Sequence, residues 1–171
     1  MKKIILIRGP ICSGKSTVAR LLFERNNNSS LIDEDVLKRT IERTKTPKWR
    51  SSLAFETALF LTEKLMRRKR TIIADVHSSK KDRYIKYKKL ADKYNYTLHS
   101  FLLYPPLNTC IERNKLRDIP DVAYKISRKS IEKYWRVLHK VAGEQVFSDS
   151  KIEPALIANK ILNKFPKTSV G

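Results

Sequence analysis

The chain has 171 residues, enough for one well-buried domain and too few for two large ones. A hydrophobic fraction of 41% suits a globular core, while no apolar run approaches a membrane span, which excludes a membrane-embedded role. Lys and Arg number 37 against 17 Asp and Glu, a formal net charge of +20, so the surface attracts polyanions.

Met1-Lys2-Lys3 runs directly into Ile4-Ile5-Leu6-Ile7, an apolar run that reads as a buried parallel strand. No signal-peptide apolar region precedes it, so a cytoplasmic location is expected. Next comes Gly9-Pro10-Ile11-Cys12-Ser13-Gly14-Lys15-Ser16, which fits G-x-x-x-x-G-K-[ST]. It leads into a helix predicted over Ser16 to Phe23, apolar at Val18, Ala19, Leu21 and Leu22. Strand, glycine-bearing loop and helix form the context that phosphate binding requires. Gly9 and Gly14 let backbone N–H groups turn inward around phosphate oxygens, and the helix adds the positive end of its dipole. Lys15 can bridge the outer phosphates and the Ser16 hydroxyl can bind Mg²⁺. Gly9, Cys12, Ser13, Gly14, Lys15, Ser16 and Thr17 are therefore the candidate contacts of a nucleoside triphosphate such as ATP. Pro10 and Cys12 are unusual at variable positions whose side chains make no phosphate contact in this motif. The alternative is a structural turn with a coincidental spelling.

Ser30 to Ile32 reads as a short strand and Asp33 to Arg43 as a short helix or turn. A charged connection, Thr44 to Arg50, carries Pro47 and Trp49, and Ser52 to Arg68 is a helix apolar on several faces and so deeply buried. Thr71 to Ala74 is a strand. Over Lys81 to Tyr94, Tyr84, Tyr87, Leu90, Ala91 and Tyr94 recur at helical spacing, as core residues rather than base-stacking platforms. Thr97 to Leu103 is a strand, Leu107 to Leu116 a helix and Val122 to His139 a longer helix. Gln145 to Phe147 is the last strand, Pro154 to Phe165 the closing helix with proline in its first turn, and Pro166 to Gly171 a frayed end. The alternation predicts an α/β fold: a five-stranded, mainly parallel sheet with helices on both faces. Residues 1–171 form one domain in this reading, with a helical lid at about 107–136.

Phosphoryl transfer needs a donor site, a nucleophile and groups that compensate charge on the migrating phosphoryl. The second strand ends at Asp33-Glu34-Asp35, beyond the carboxyl edge where α/β sheets bind ligands. Asp35 is the candidate base for an acceptor hydroxyl. Asp33 either assists at the acceptor or caps the helix before Val36. Asp75 occupies the place of a Walker-B carboxylate, facing the loop and its Mg²⁺, or else is a strand-end turn residue. His77 either contacts the acceptor or is solvated. Arg113 and Arg117, four apart on one helix face, can close over a triphosphate, or form an exposed basic face. Positive charge concentrates in two stretches: 12 basic against 3 acidic residues from Lys64 to Lys93, and 9 against 4 from Glu112 to Lys140. These clusters either recruit a nucleic-acid backbone or make a solvated lysine-rich surface. Trp49 is either a stacking platform near the acceptor or a hydrophobic plug. Cys12 and Cys110 supply neither a disulfide framework nor a metal-ligand cluster.

The order of these motifs resembles the P-loop kinase group that contains the 5′-hydroxyl polynucleotide kinases of RNA repair and phosphoseryl-tRNA kinase. The matching pieces are Gly9 to Thr17, Asp35-Val36-Leu37-Lys38-Arg39-Thr40-Ile41, Ile72 to His77, Arg113-Asn114-Lys115-Leu116-Arg117, and the Ile119-Pro120 entry into a lysine-rich helix. They span residue 4 to about 136. The resemblance implies a P-loop NTPase fold, Asp35 as base for the 5′-hydroxyl, and Lys38 where an arginine touches the transferred phosphate. It places Arg113 and Arg117 in the ATP lid and Asp35 and Lys38 on the substrate side, to which the strand-end positions add Asp33 and His77. Lysine at 38 keeps the charge but loses the bidentate fork. Asp75-Val76-His77 stands where the group has Asp-Thr-Asn. The expectation is an ATP- and Mg²⁺-dependent kinase acting on the 5′-hydroxyl of RNA or DNA. A small-molecule or tRNA kinase of the same fold, or a nucleic-acid-stimulated ATPase, are the alternatives, and oligomeric state is not legible.

Overall fold

The computed structural model describes residues 2–42, 47, 49–76, 81–116 and 126–165. In chain order it contains β1 (Lys3–Arg8), α1 (Lys15–Glu24), β2 (Ser29–Asp33), α2 (Glu34–Ile41), α3 (Trp49–Arg67) and β3 (Thr71–Asp75). Then follow α4 (Lys81–Lys93), β4 (Thr97–Leu103), α5 (Leu107–Lys115), α6 (Arg128–Arg136), β5 (Gln145–Phe147) and α7 (Pro154–Leu162). The strands lie in the order β2-β3-β1-β4-β5, and every neighbouring pair is parallel. Ile4 aligns with Ile72 on one side of β1 and with Leu98 on the other.

A central parallel strand has helices over both faces, so it carries an unbroken apolar run rather than an alternating one. Ile4, Ile5, Leu6 and Ile7 accordingly have no exposed surface. Ile5, Ile7 and Ile73 face α1 and α7, packing with Val18, Leu22, Ile157 and Ile161. Ile4, Leu6, Ile72 and Ala74 face α3 and α4, packing with Phe55, Ala58, Met66 and Tyr87. Tyr87 is wholly buried and Tyr84 and Tyr94 pack against the same cluster, as their helical spacing predicts. A third cluster, Cys110, Ile111 and Ile131, joins α5 to α6 and touches the glycine-bearing loop through Ile11 and Cys12.

Most element ends differ by a residue or two from those read in the sequence, α7 stops at Leu162 rather than Phe165, and two differences have a visible cause. Trp49 and Arg50 belong to α3 rather than to the preceding connection. The Arg50 side chain is buried and its Nε donates to the Lys38 carbonyl at 2.8 Å, which ties the first turn of α3 to α2. The helix read over 122–139 is described only from Arg128 to Arg136, because Ser127 caps it by accepting from the Ser130 amide at 3.3 Å. Positions 122–125 of that reading lie outside the described residues.

Candidate functional site

The loop between β1 and α1 has the shape of an anion cradle. Gly9 has φ 154°, and a Cβ placed there would sit 2.3 Å from the Leu103 carbonyl oxygen and 2.5 Å from Ser13 Oγ. Glycine is therefore required to let the loop pass against β4. Gly14, with φ 96°, is the N-cap of α1 and has no side chain to occupy the first amides of the helix. Those amides and the dipole behind them remain available to an anion. Lys15 opens α1, and its Nζ donates to the Pro10 carbonyl at 3.0 Å, folded across the loop where a phosphate oxygen would receive it. Cys12 adopts φ 62°, and its thiol contacts Asn114 Oδ1 at 3.8 Å. Thr17 is exposed in the first turn of α1.

The parallel alignment of β1 with β3 sets Asp75 beside Ile7, directly below the loop. Ser16 Oγ donates to Asp75 Oδ2 at 2.5 Å. Burial pushes the Asp75 carboxyl up to about 6; Lys15 and the Ser16 hydroxyl pull it down, and Asp33 and Asp35 push it further up. A hydroxyl and a buried carboxylate next to a phosphate cradle are hard oxygen donors, the set that Mg²⁺ takes when phosphates and water complete its shell. Ser16 and Asp75 thus fit a magnesium ion.

At the carboxyl end of β2 three consecutive acids have three different environments. Asp33 is the N-cap of α2: its Oδ1 accepts from the amides of Asp35 at 2.9 Å and Val36 at 3.0 Å. Of the two roles read for Asp33 in the sequence, the structure displays the cap. Glu34 is buried and forms an ion pair with Arg83 of α4, while Lys38 reaches its other oxygen at 3.1 Å. Asp35 is 57% exposed at the side chain, with Lys38 Nζ 3.0 Å from its Oδ1. The helical spacing of Glu34, Asp35 and Lys38 brings one ammonium between two carboxylates, next to the loop. Asp35 is the most exposed of the trio, so its carboxylate is the one most open to an acceptor.

Neither Glu34 nor Arg83 stands out as a site residue in the sequence. One signal does exist: Arg83 lies four residues before Tyr87, on the apolar stripe of α4. A cation on a buried face requires a partner. It is 9% exposed, stacks at 4.6 Å over Phe55, and reaches Ser51 Oγ at 3.4 Å. A second buried pair, Arg8 with both oxygens of Glu144 at 2.8 and 2.9 Å, braces the strand end from which the loop departs.

On the far side of the loop, Arg113 Nη1 donates to the Ser13 carbonyl at 3.0 Å, so α5 presents a guanidinium to the cradle. The neighbouring Asn114 Nδ2 donates to the Ile126 carbonyl at 2.9 Å, linking α5 to the segment that leads into α6. Tyr104 stacks on Trp135 at 4.7 Å, whose Nε1 donates to the Pro105 carbonyl at 3.0 Å. A narrow cleft adjoins the cradle, walled by Gly14, Leu103, Pro105, Arg113, Phe147 and Asp149. The sequence-predicted residues Lys15, Ser16, Asp75 and Arg113 are thus gathered at one loop, with Asp33, Asp35 and Lys38 at its open edge. Arg117 and His77 lie outside the described residues.

The parallel sheet, the loop and the Ser16–Asp75 contact define a P-loop α/β fold. The sequence match is more particular: the AAA domain family AAA_33 matches residues 4–140, and the chain belongs to that family. No curated protein matches the chain in sequence. Among solved structures it is similar to the tunicamycin resistance protein of Deinococcus radiodurans, at 19% identity and a TM-score of 0.70, covering 97% of this chain and 96% of the other. It is also similar to the APS kinase CysC of Mycobacterium tuberculosis in complex with AMPPNP and APS, at 13% identity and a TM-score of 0.69, covering 95% and 96%. A third similarity is to a chain of the Pnkp1/Rnl/Hen1 RNA repair complex, at 18% identity and a TM-score of 0.68, covering 80% of this chain and 44% of the other. No helix among the described residues is long and apolar enough to cross a membrane.

Proposed function

We propose that the protein is an ATP-dependent kinase that transfers the γ-phosphoryl group to the 5′-hydroxyl of RNA or DNA. The observation that carries the reading is the placement of exposed Asp35, paired with Lys38, at the edge of a P-loop whose Ser16 and Asp75 are already in contact.

In this reading the loop amides from Gly9 to Thr17, with Lys15, hold the ATP phosphates. Ser16 and Asp75 hold Mg²⁺, which when bound supplies positive charge to the phosphate oxygens. Lys15 leaves the Pro10 carbonyl for the phosphates. Asp35 accepts the proton of the acceptor hydroxyl as its oxygen attacks the γ-phosphorus and the bond to the ADP oxygen breaks. Lys38 releases Asp35 and Glu34 and turns to the migrating phosphoryl. Arg113, with Arg117 and the α5–α6 lid at about 107–136, covers the donor and excludes water. Asp33 and His77 belong to the acceptor side in this reading. The net charge of +20 and the likeness to a chain of an RNA repair complex favour a polynucleotide acceptor.

A second reading is a small anionic acceptor, favoured by the likeness to APS kinase. Salt separates the two: binding to a polynucleotide weakens steeply as salt rises, whereas binding to a small acceptor of low charge changes little. The test is transfer of label from γ-labelled ATP to a 5′-hydroxyl oligonucleotide, with the matched 5′-phosphorylated strand as control. Label on the first strand alone supports the reading. Label on neither, with ATP bound normally, refutes the polynucleotide acceptor.

A further inference from the structure

Helix α3 displays a side that the sheet does not use. Its buried residues, Ala54, Phe55, Ala58, Thr62 and Met66, face the core. At 3.6 residues per turn, Trp49, Leu53, Phe60, Lys64 and Arg67 fall on the opposite side, within about 60° of one another. All five are exposed. Trp49 is 53% and Phe60 56% exposed, large values for aromatic side chains. Scattered exposed apolar residues are ordinary, but here three of the nine large ones among the described residues share one stripe.

Charge tells what the stripe fits. Lys64 Nζ lies 5.0 Å from the centre of the Phe60 ring, and Arg67 follows one turn later. The acids on this side are engaged: Glu56 accepts from Ser52 Oγ at 3.0 Å, and Glu63 is held by Arg67 and Lys93 at 3.2 and 3.4 Å. Aromatic faces at Trp49 and Phe60, followed along the same side by the cations Lys64 and Arg67, are the makings of a single-stranded nucleic-acid track, in which bases stack and phosphates meet ammonium and guanidinium groups. The stripe also begins at the right place. Arg50, next to Trp49, holds the Lys38 carbonyl, and Ser51 accepts from Arg83, so the N-terminal turn of α3 abuts the acceptor corner. From there the 19-residue helix extends about 28 Å, the scale of a several-nucleotide site.

We propose that the exposed side of α3, from Trp49 through Leu53 and Phe60 to Lys64 and Arg67, binds the single-stranded body of a nucleic-acid acceptor whose 5′ end lies at Asp35. This rests on the reading of the protein as a polynucleotide kinase and adds the path of the strand beyond its reacting end. The binding energy comes from stacking and phosphate contacts that lack sequence preference, so the acceptor is recognised by length and single-strandedness.

The test compares a 5′-hydroxyl trinucleotide with a dodecamer, in phosphorylation and in fluorescence anisotropy of a labelled dodecamer without ATP. The dodecamer should have much the lower KM. Trp49→Ala and Phe60→Ala should each raise its KM and its Kd about tenfold, as loss of one stacking platform does. The trinucleotide should be far less affected, Phe60→Tyr should restore binding, and Lys64→Ala should lower the salt slope by about 0.7. Phe23→Ala, at an exposed position on α1 away from α3, should change nothing. Equal KM for both lengths, or unchanged dodecamer binding in the Trp49 and Phe60 variants, overturns the proposal. So does a change of oligomeric state in those variants without loss of binding, which would make the stripe a protein contact. If no acceptor is labelled, the kinase reading fails, and the anisotropy still decides the track.

Discussion

Asp75→Asn isolates the cost of burying a carboxylate beneath the phosphate loop. Its carboxyl is raised from an ordinary 3.8 to about 6, chiefly by burial. Below pH 3.8 the group is neutral in both the folded and the unfolded chain. Between 3.8 and about 6 the folded chain keeps a proton that the unfolded chain has lost, and above about 6 both are ionised and the burial penalty is felt in full. The contribution of Asp75 to stability is thus greatest at low pH and is lost as pH rises through that window. The loss is on the order of 3 kcal/mol. Asparagine does not ionise, and it still offers Ser16 an acceptor oxygen. Relative to wild type, the variant should gain on the order of 3 kcal/mol between about pH 4 and about pH 7.5, a relative rise in Tm of roughly 6 to 12 °C for a chain of this size. Thermal unfolding of both proteins across this range, in metal-free buffer, reads the difference directly, since the other carboxylates cancel. A Tm difference that stays flat, or that moves against asparagine as pH rises, refutes the argument.

Glu34→Gln should strand the buried Arg83 guanidinium and cost about 3 to 5 kcal/mol in urea unfolding, whereas Glu132→Gln, opposite the exposed Arg128, should leave the midpoint unchanged. Gly9→Ala forces a methyl group to within 2.3 Å of the Leu103 carbonyl oxygen and should abolish calorimetric binding of a non-hydrolysable ATP analogue. Gly143→Ala meets no atom within 4 Å, so it should cost only the roughly 1 to 2 kcal/mol of its left-handed backbone and leave nucleotide binding intact. Asp35→Asn should lower kcat at least about a hundredfold while ATP affinity stays within twofold, and full turnover would remove Asp35 as the base. Lys15→Ala should lose both ATP affinity and transfer, measured by the same pair of assays.

Much of the scaffold was legible because parallel strands and phosphate loops are written locally. The run from Ile4 to Ile7 and the spacing from Gly9 to Ser16 specify a strand, a loop and a helix within about twenty residues, and β4 and β5 match their predicted ranges. The start of α3 was hidden because Arg50 looks solvated in sequence, whereas its side chain is buried against α2 through its bond to the Lys38 carbonyl. At the site, Lys15, Ser16, Asp75 and Arg113 were legible because each sits at a fixed offset from a motif or a strand end. The Glu34–Arg83 pair was not, since its partners are 49 residues apart and nothing local distinguishes Glu34 from the aspartates on either side. Asp33 shows the opposite difficulty: one residue type serves as cap or ligand, and the two amides it accepts reveal which role it has in the fold.

The most direct test of the central claim is one reaction in which acceptors compete. ATP and Mg²⁺ are supplied with 5′-hydroxyl RNA, 5′-hydroxyl DNA, their 5′-phosphorylated counterparts, total tRNA, gluconate and adenylyl sulfate, and the products are resolved by mass. One added phosphate is expected on the 5′-hydroxyl strands, absent with Asp35→Asn and suppressed by salt. Phosphate added to gluconate or adenylyl sulfate, with the 5′-hydroxyl strands untouched, would contradict that expectation.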